Sequence, residues 1–280
     1  MALGFAILLL AGGVAAGQHH HVHRLFEIGE LAYYDTAIEV SQSRSAEGYT
    51  PHFLRRLIQA QTRIKTAGIR EGVATVYLDV EDASVVESMG QAADEPLDPF
   101  KKGIVRASVQ NSGVVTWDYL VRREPAPVSW LSLAFCPAEW VPPLPDRLLR
   151  TGDIYESTLP FPIRAILPEE GWPDKIDVPL LMTFLGVQEK AGRRTFRIHR
   201  KCDTQLTLVS SDKTGGVTGS IAASGSYDLD ASTGLLVSCD LTWIVHAEIT
   251  APAALGGART VDYVVAVKSN LKRVGRVGEQ

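Results

Sequence analysis

The stretch Gly219–Thr250, GSIAASGSYDLDASTGLLVSCDLTWIVHAEIT, decides the fold. Leu235, Val237, Cys239, Leu241, Trp243, Val245, Ala247 and Ile249 share one parity, and Ser238, Asp240, Thr242, His246, Glu248 and Thr250 occupy the other. Successive side chains of a strand point to opposite faces, so this pattern predicts a strand with one dry side and one wet side. The preceding arm, Ser220 to Leu229, reaches it through Asp230-Ala231-Ser232-Thr233-Gly234, turn chemistry in which Gly234 supplies the positive φ of a hairpin bulge. Half-solvated strands joined by short turns belong to antiparallel sheets.

Working outward, the same signals recur. Residues 31–40 read as a strand followed by a polar loop at 41–49, and 56–66 with 73–81 read as a long hairpin. Residues 82–102, acidic and broken by proline, read as a surface loop, and 104–109 with 114–121 as a second hairpin. Pro125, Pro127, Pro137, Pro142, Pro143 and Pro145 mark 122–149 as a connector, with a short helix at Val128–Phe135. A turn at Gly152-Asp153 feeds a strand to Leu159, and 160–179 reads as irregular. Strands at 180–187 and 194–208 flank a charged tip at 188–192, and 210–219 reads as a flexible loop. A last strand covers 260–268, before a basic tail that frays. The expected fold is mostly β: an antiparallel meander of hairpins forming one curved sheet or a two-sheet sandwich, with pseudo-repeated halves at 17–121 and 150–270 and a tail at 271–280. The halves echo each other through Gly29-Glu30-Leu31 and Gly152-Asp153-Ile154, each placed before a strand.

The 280 residues are 45% hydrophobic, enough for a substantial core, and a net charge of −4 argues against a nucleic-acid binder. Residues 1–16, MALGFAILLLAGGVAA, hold an apolar run and end in the small-residue pattern of a cleavage site. They predict a signal peptide and an exported protein, periplasmic or extracellular, with no transmembrane helix in the mature chain. The alternative is a misassigned start or a buried N-terminal segment. In an exported protein the favoured disulfide is Cys202–Cys239, with Cys136 left over; equally, all three are small buried hydrophobes.

Cleavage after Ala16 would leave Gly17-Gln18-His19, whose amine, amides and imidazole suit square-planar copper(II) or nickel(II), with His20, His21 and His23 adding ligands. The opposing reading is a solvated tail. Around the 188–192 tip, Arg194, Arg197, His199 and Arg200 form a candidate anion site, set against a solvated tip whose charges discourage edge pairing. His199, His246, Asp240 and Glu248 are the residues a hydrolase would use, but no GxSxG elbow, HExxH helix or phosphate-cradling glycine loop accompanies them, and no catalytic residue is assigned.

The run Thr151-Gly152-Asp153-Ile154-Tyr155 and the late motif from Tyr227-Asp228 through Gly234-Leu235-Leu236 resemble a family of uncharacterised exported bacterial β-rich proteins. The resemblance implies export and a β fold, and no chemistry. The sequence thus predicts a non-enzymatic protein of the cell envelope that binds a small molecule or an envelope component. Trp117, Trp243, Tyr227 and Tyr263 stand among the apolar residues of a curved sheet that could enclose a hydrophobic ligand. A hydrolase and an N-terminal copper- or nickel-binding protein are the alternatives.

Overall fold

The structure, a computed structural model, describes residues 18–90, 104–110, 115–119, 140–163, 172–173, 175–190, 192–210, 215–252 and 258–274. The strands are β1 (His20–His21), β2 (Leu31–Ala46), β3 (His52–Arg70), β4 (Val73–Gly90), β5 (Ile104–Gln110), β6 (Val115–Tyr119), β7 (Leu148–Leu149), β8 (Ile154–Phe161), β9 (Ile176–Lys190), β10 (Arg193–Val209), β11 (Gly216–Asp230), β12 (Leu236–Pro252) and β13 (Ala258–Val274). β1 pairs with β7 in a two-stranded ribbon, and the others form one antiparallel 11-stranded sheet, ordered β6-β5-β4-β3-β2-β13-β12-β11-β10-β9-β8. Of the two expected arrangements, the sandwich is therefore replaced by a single open sheet. Both halves meander across it in the same direction and meet where β13 pairs with β2.

The dry parity of β2, β3, β4 and β8 to β13 lies on one face. Ile38, Ile58, Val76, Val267, Trp243, Ile221, Ile198, Phe184 and Phe161 all belong to one buried cluster. The sheet must curl to bury it. The rings of Phe161 on β8 and Trp243 on β12 have centroids 5.1 Å apart, although four strand spacings would separate these strands by roughly 19 Å in a flat sheet. Register shifts in β3–β4, β9–β10 and β11–β12 add local twist. The concave face is further covered by the polypeptide around Val22, Trp140, Leu144 and Leu149, all buried. The predicted connector thus contributes core as well as linkage.

Several strands run further than alternation alone predicts. Residues 41–44 stay in β2, polar on both faces, because they pair with β3 on one side and β13 on the other, and Ser45 and Ala46 continue along β13 alone. Backbone hydrogen bonding holds them where burial does not. Residues 82–90 extend β4 along β3 and are not loop. β11 begins at Gly216, inside the expected flexible loop, and β13 continues through Leu271, wholly buried, to Val274, so the fraying boundary shifts. The expected helix at 128–135, Cys136 and residues 1–16 lie outside the described residues. Among the described residues no helix is long and apolar enough to cross a membrane.

The β11–β12 turn forms as its residues predict. Asp230 Oδ1 accepts from the Ser232 and Thr233 amides at 2.9 and 3.1 Å, and Gly234 takes φ +67°. Burial raises the Asp230 pKa, but the hydrogen bonds from Ser232 and Thr233 and the nearby Arg193 outweigh it, and the net shift is downward. A depressed carboxylate contributes stability above its unfolded pKa of about 3.9 and loses it as pH falls through the folded value. Asp230→Ala should cost about 1 kcal/mol at neutral pH. Urea titrations of mutant and wild type should converge in strongly acidic buffer.

Candidate binding groove

The sheet forks at one place. The β9–β10 ladder runs from Lys190↔Arg193 to Leu181↔Lys201 and stops. β9 carries on against β8 as far as Ile176↔Phe161, and β10 carries on against β11 as far as Val209↔Gly216. Continued in register, the next pairs would be Leu180 with Cys202 and Pro179 with Asp203. Proline has no N–H to donate, so the ladder cannot be completed there. A groove of about 620 Å³ opens in the fork. Pro179, Leu180, Leu181 and Cys202 give it an apolar strip, with Glu156, Ser157, Thr158, Lys201 and Asp203 around them. Leu180 and Cys202 belong to the buried face and Leu181 to the exposed one, so the groove cuts through the thickness of the sheet.

Cys202 is held as a thiol in this setting. Burial pushes its thiol up to about 11, against the opposing pull of Arg200, and its Sγ donates to the Ile221 carbonyl at 3.6 Å. Nor is it bridged to Cys239. Cys202 stands opposite Ala223 and Cys239 opposite Tyr227, on strands either side of β11. Two strand spacings and four residues of offset put them well over 10 Å apart, beyond the roughly 7 Å reach of a disulfide. Both are buried, which matches the hydrophobic alternative.

The candidate anion residues separate rather than converge. Arg197 and His199 point outward from β10, while Arg200 is fully buried on the concave face. There its guanidinium lies 4.8 Å from the Trp243 ring centroid and 5.6 Å from that of Tyr227, and its Nη1 donates to the Tyr227 hydroxyl at 2.9 Å. On the outer face, carboxylates already serve the basic tip. The buried Asp228 accepts from Gln188 Nε2, from Lys190 Nζ and from Ser238 Oγ (2.9 Å), and it lies 3.8 Å from Arg197 Nη1. Arg193 lies 3.7 Å from Asp230. Arg194 is exposed at the strand end. The anion the basic run calls for is thus supplied by the late YDLD motif.

The histidines take up separate contacts as well, apart from one stacked pair. His20 packs its ring 5.8 and 5.7 Å from those of Phe184 and Phe196, His21 stacks on His23 at 5.0 Å, and His19 accepts from Arg150 Nε at 2.8 Å. They form an anchored segment instead of a solvated tail. Among the described residues no group of three His, Cys, Asp or Glu is arranged to hold a metal ion. Gly17, which the copper or nickel geometry needs, lies outside them.

The possible catalytic set divides in the same way. His199, Ser226 and Asp240 stand in a row across β10, β11 and β12, with His199 Nδ1 3.3 Å from Ser226 Oγ. Serine holds the middle place, so in this row of described residues the acid is not next to the imidazole to orient it, as a triad requires. His246 pairs with Ser220, roughly 20 Å along β11 from that row.

Two residues missed by motif reading matter here. Arg24 and Trp140 are 3% and 2% exposed, and the sequence signals neither: one sits in a His-rich run, the other in a proline-rich one.

No family model matches the chain, and no curated protein matches it. Among solved structures it is similar to lipovitellin, in a structure described as showing lipid–protein interactions, at 12% identity and a TM-score of 0.47, over 90% of this chain and 26% of that one. The chain therefore spans about a quarter of that protein. It also overlaps a DUF1329 family protein from Desulfovibrio piger at 8% identity and a TM-score of 0.25, over 90% of this chain and 88% of the other. Likenesses at this level carry no functional weight.

Proposed function

We propose that the protein is a non-enzymatic binding protein of the cell envelope whose ligand lies in the β9–β10 fork. One observation carries this reading: a groove of about 620 Å³ with an apolar strip bordered by hydroxyls and by charges of both signs. That volume falls within the roughly 300–1,000 Å³ of ordinary ligand sites. Apolar walls favour an elongated hydrophobic molecule, and the paired signs of Lys201 against Glu156 and Asp203 favour a neutral or zwitterionic end. The leader-like residues 1–16 support an envelope location. A second reading, an extended peptide, is favoured by the β10 edge from Cys202 to Val209, which pairs with β11 and not with β9.

Leu181→Asp tests the site. Leu181 is 43% exposed, so the change should leave folding intact while placing a charge in the groove wall. A fluorescent acyl probe should bind the wild type saturably and the variant at least about tenfold more weakly, a loss of roughly 1.4 kcal/mol. Equal binding by both proteins would remove the groove as the site. Displacement of the probe by a short apolar peptide would favour the second reading.

A further inference from the structure

We propose that a second, separate site binds a carboxylate or a similarly small anion beneath the N-terminal segment, held by Arg24 Nη1 and Trp140 Nε1. The backbone delivers Arg24 there by specific contacts. Leu25 N donates to the Thr233 carbonyl at 2.8 Å, pinning the segment against the β11–β12 turn. Gly234 allows that approach, since a Cβ there would lie 1.9 Å from the His23 carbonyl oxygen. Val22 and Arg24 consequently face inward, and Arg24 passes under Pro142, whose carbonyl accepts from Nη2. Trp140 stacks edge-on against Tyr34, with centroids 5.4 Å apart.

Arg24 Nη1 and Trp140 Nε1 are both buried and find no hydrogen-bond partner among the described residues. Both residues line one enclosed cavity of about 30 Å³. Burial draws the Arg24 pKa down to about 10, with Tyr155 and Tyr227 opposing, so the guanidinium remains charged at neutral pH. Holding a cation out of water costs several kcal/mol unless an opposite charge meets it. Arg24 has no carboxylate partner among the described residues: Glu30, the acid on the same cavity, is engaged by Arg273 at 3.2 Å. The remaining wall is mainly apolar, including Val76, Val141, Leu235 and Leu236, and the Tyr34 hydroxyl already donates to the Leu236 carbonyl at 2.9 Å. Thr66 and Glu30 also line the cavity, but the two side-chain donors left without a partner there, one of them on a cation, suit an anion. A water molecule, which fits the same volume, would leave the Arg24 charge without a counter-ion. The planar guanidinium fork matches a carboxylate.

The test uses the full chain with isotope-labelled tryptophan. At constant ionic strength, sodium formate should move one indole N–H resonance along a saturable curve, the resonance that Trp140→Phe removes. Formamide, equal in size but neutral, should leave it in place. Arg24→Met should weaken the formate response at least about tenfold. Should that variant not fold, the formate–formamide contrast in the wild type decides alone. Equal shifts with formate and formamide, or no saturable shift with formate, would overturn the proposal and leave a buried water. Sodium octanoate distinguishes two forms of the same chemistry: a response to both acids means an acyl chain can leave the cavity, and a response to formate alone means a small-anion site. Leu181→Asp should not alter the formate response, so this site and the fork groove stand or fall separately.

Discussion

Trp243→Ala is expected to lower stability by about 3–5 kcal/mol, the usual cost of truncating a large buried aromatic. Trp243 is 2% exposed at the centre of the concave face. Its ring meets Phe161 from the far edge strand and lies under the Arg200 guanidinium. The change therefore removes three things at once: apolar area, the contact that closes the curl between β8 and β12, and a desolvated cation–π contact of about 2 kcal/mol. The neighbours can collapse only partly, because β12 is held in register on both sides by β11 and β13. Urea unfolding should show the midpoint falling by roughly 1–2 M, given a slope of about 3 kcal/mol/M for a chain of this size. Trp243→Phe should recover most of the loss. A midpoint change in Trp243→Ala no larger than that of a surface substitution would mean that the concave face is not packed as described.

Pro179→Val should close the fork. An N–H at position 179 can be donated toward β10, letting the ladder advance past Leu181↔Lys201 to 179↔Asp203. Two opposing terms make the stability change small. Each new backbone hydrogen bond contributes about 0.5–1.5 kcal/mol, while removing proline frees the unfolded chain by about 0.4–1 kcal/mol. Binding has no such compensation. If the ligand occupies the groove, acyl-probe affinity should fall by a factor of about 100, or roughly 2.7 kcal/mol. Hydrogen exchange supplies the structural readout, through new protection at position 179 and at Asp203. Protection gained with affinity unchanged would place the ligand elsewhere. Protection not gained would mean that something besides proline keeps the strands apart.

What was legible in the sequence was what each strand carries within itself. The alternation from Leu235 to Ile249 marks the dry face, and Asp230 to Gly234 announces a turn that Asp230 then caps. The antiparallel architecture follows from those local features, because a period of two and a short turn are properties of neighbouring residues. Partner choice was not legible. That β13 pairs with β2 and seals the halves into one sheet depends on residues more than two hundred positions apart. The Arg197–Asp228 contact spans a shorter stretch of chain but needs the register of β10 on β11, and it gives the apparent anion site a carboxylate of its own. Cys202 and Cys239 look pairable until β11 is placed between them. Pro179 was readable as a strand breaker, but that it meets Asp203, and so opens a groove in the sheet, requires the register of two strands at once. The buried position of Arg24 has the same origin: its burial comes from Pro142 and the β11–β12 turn, which the curl of the sheet brings over it. The sequence by itself determined the faces and turns of the strands; only the tertiary structure decided where ladders end and which charges are buried, because both depend on contacts made after distant strands have paired.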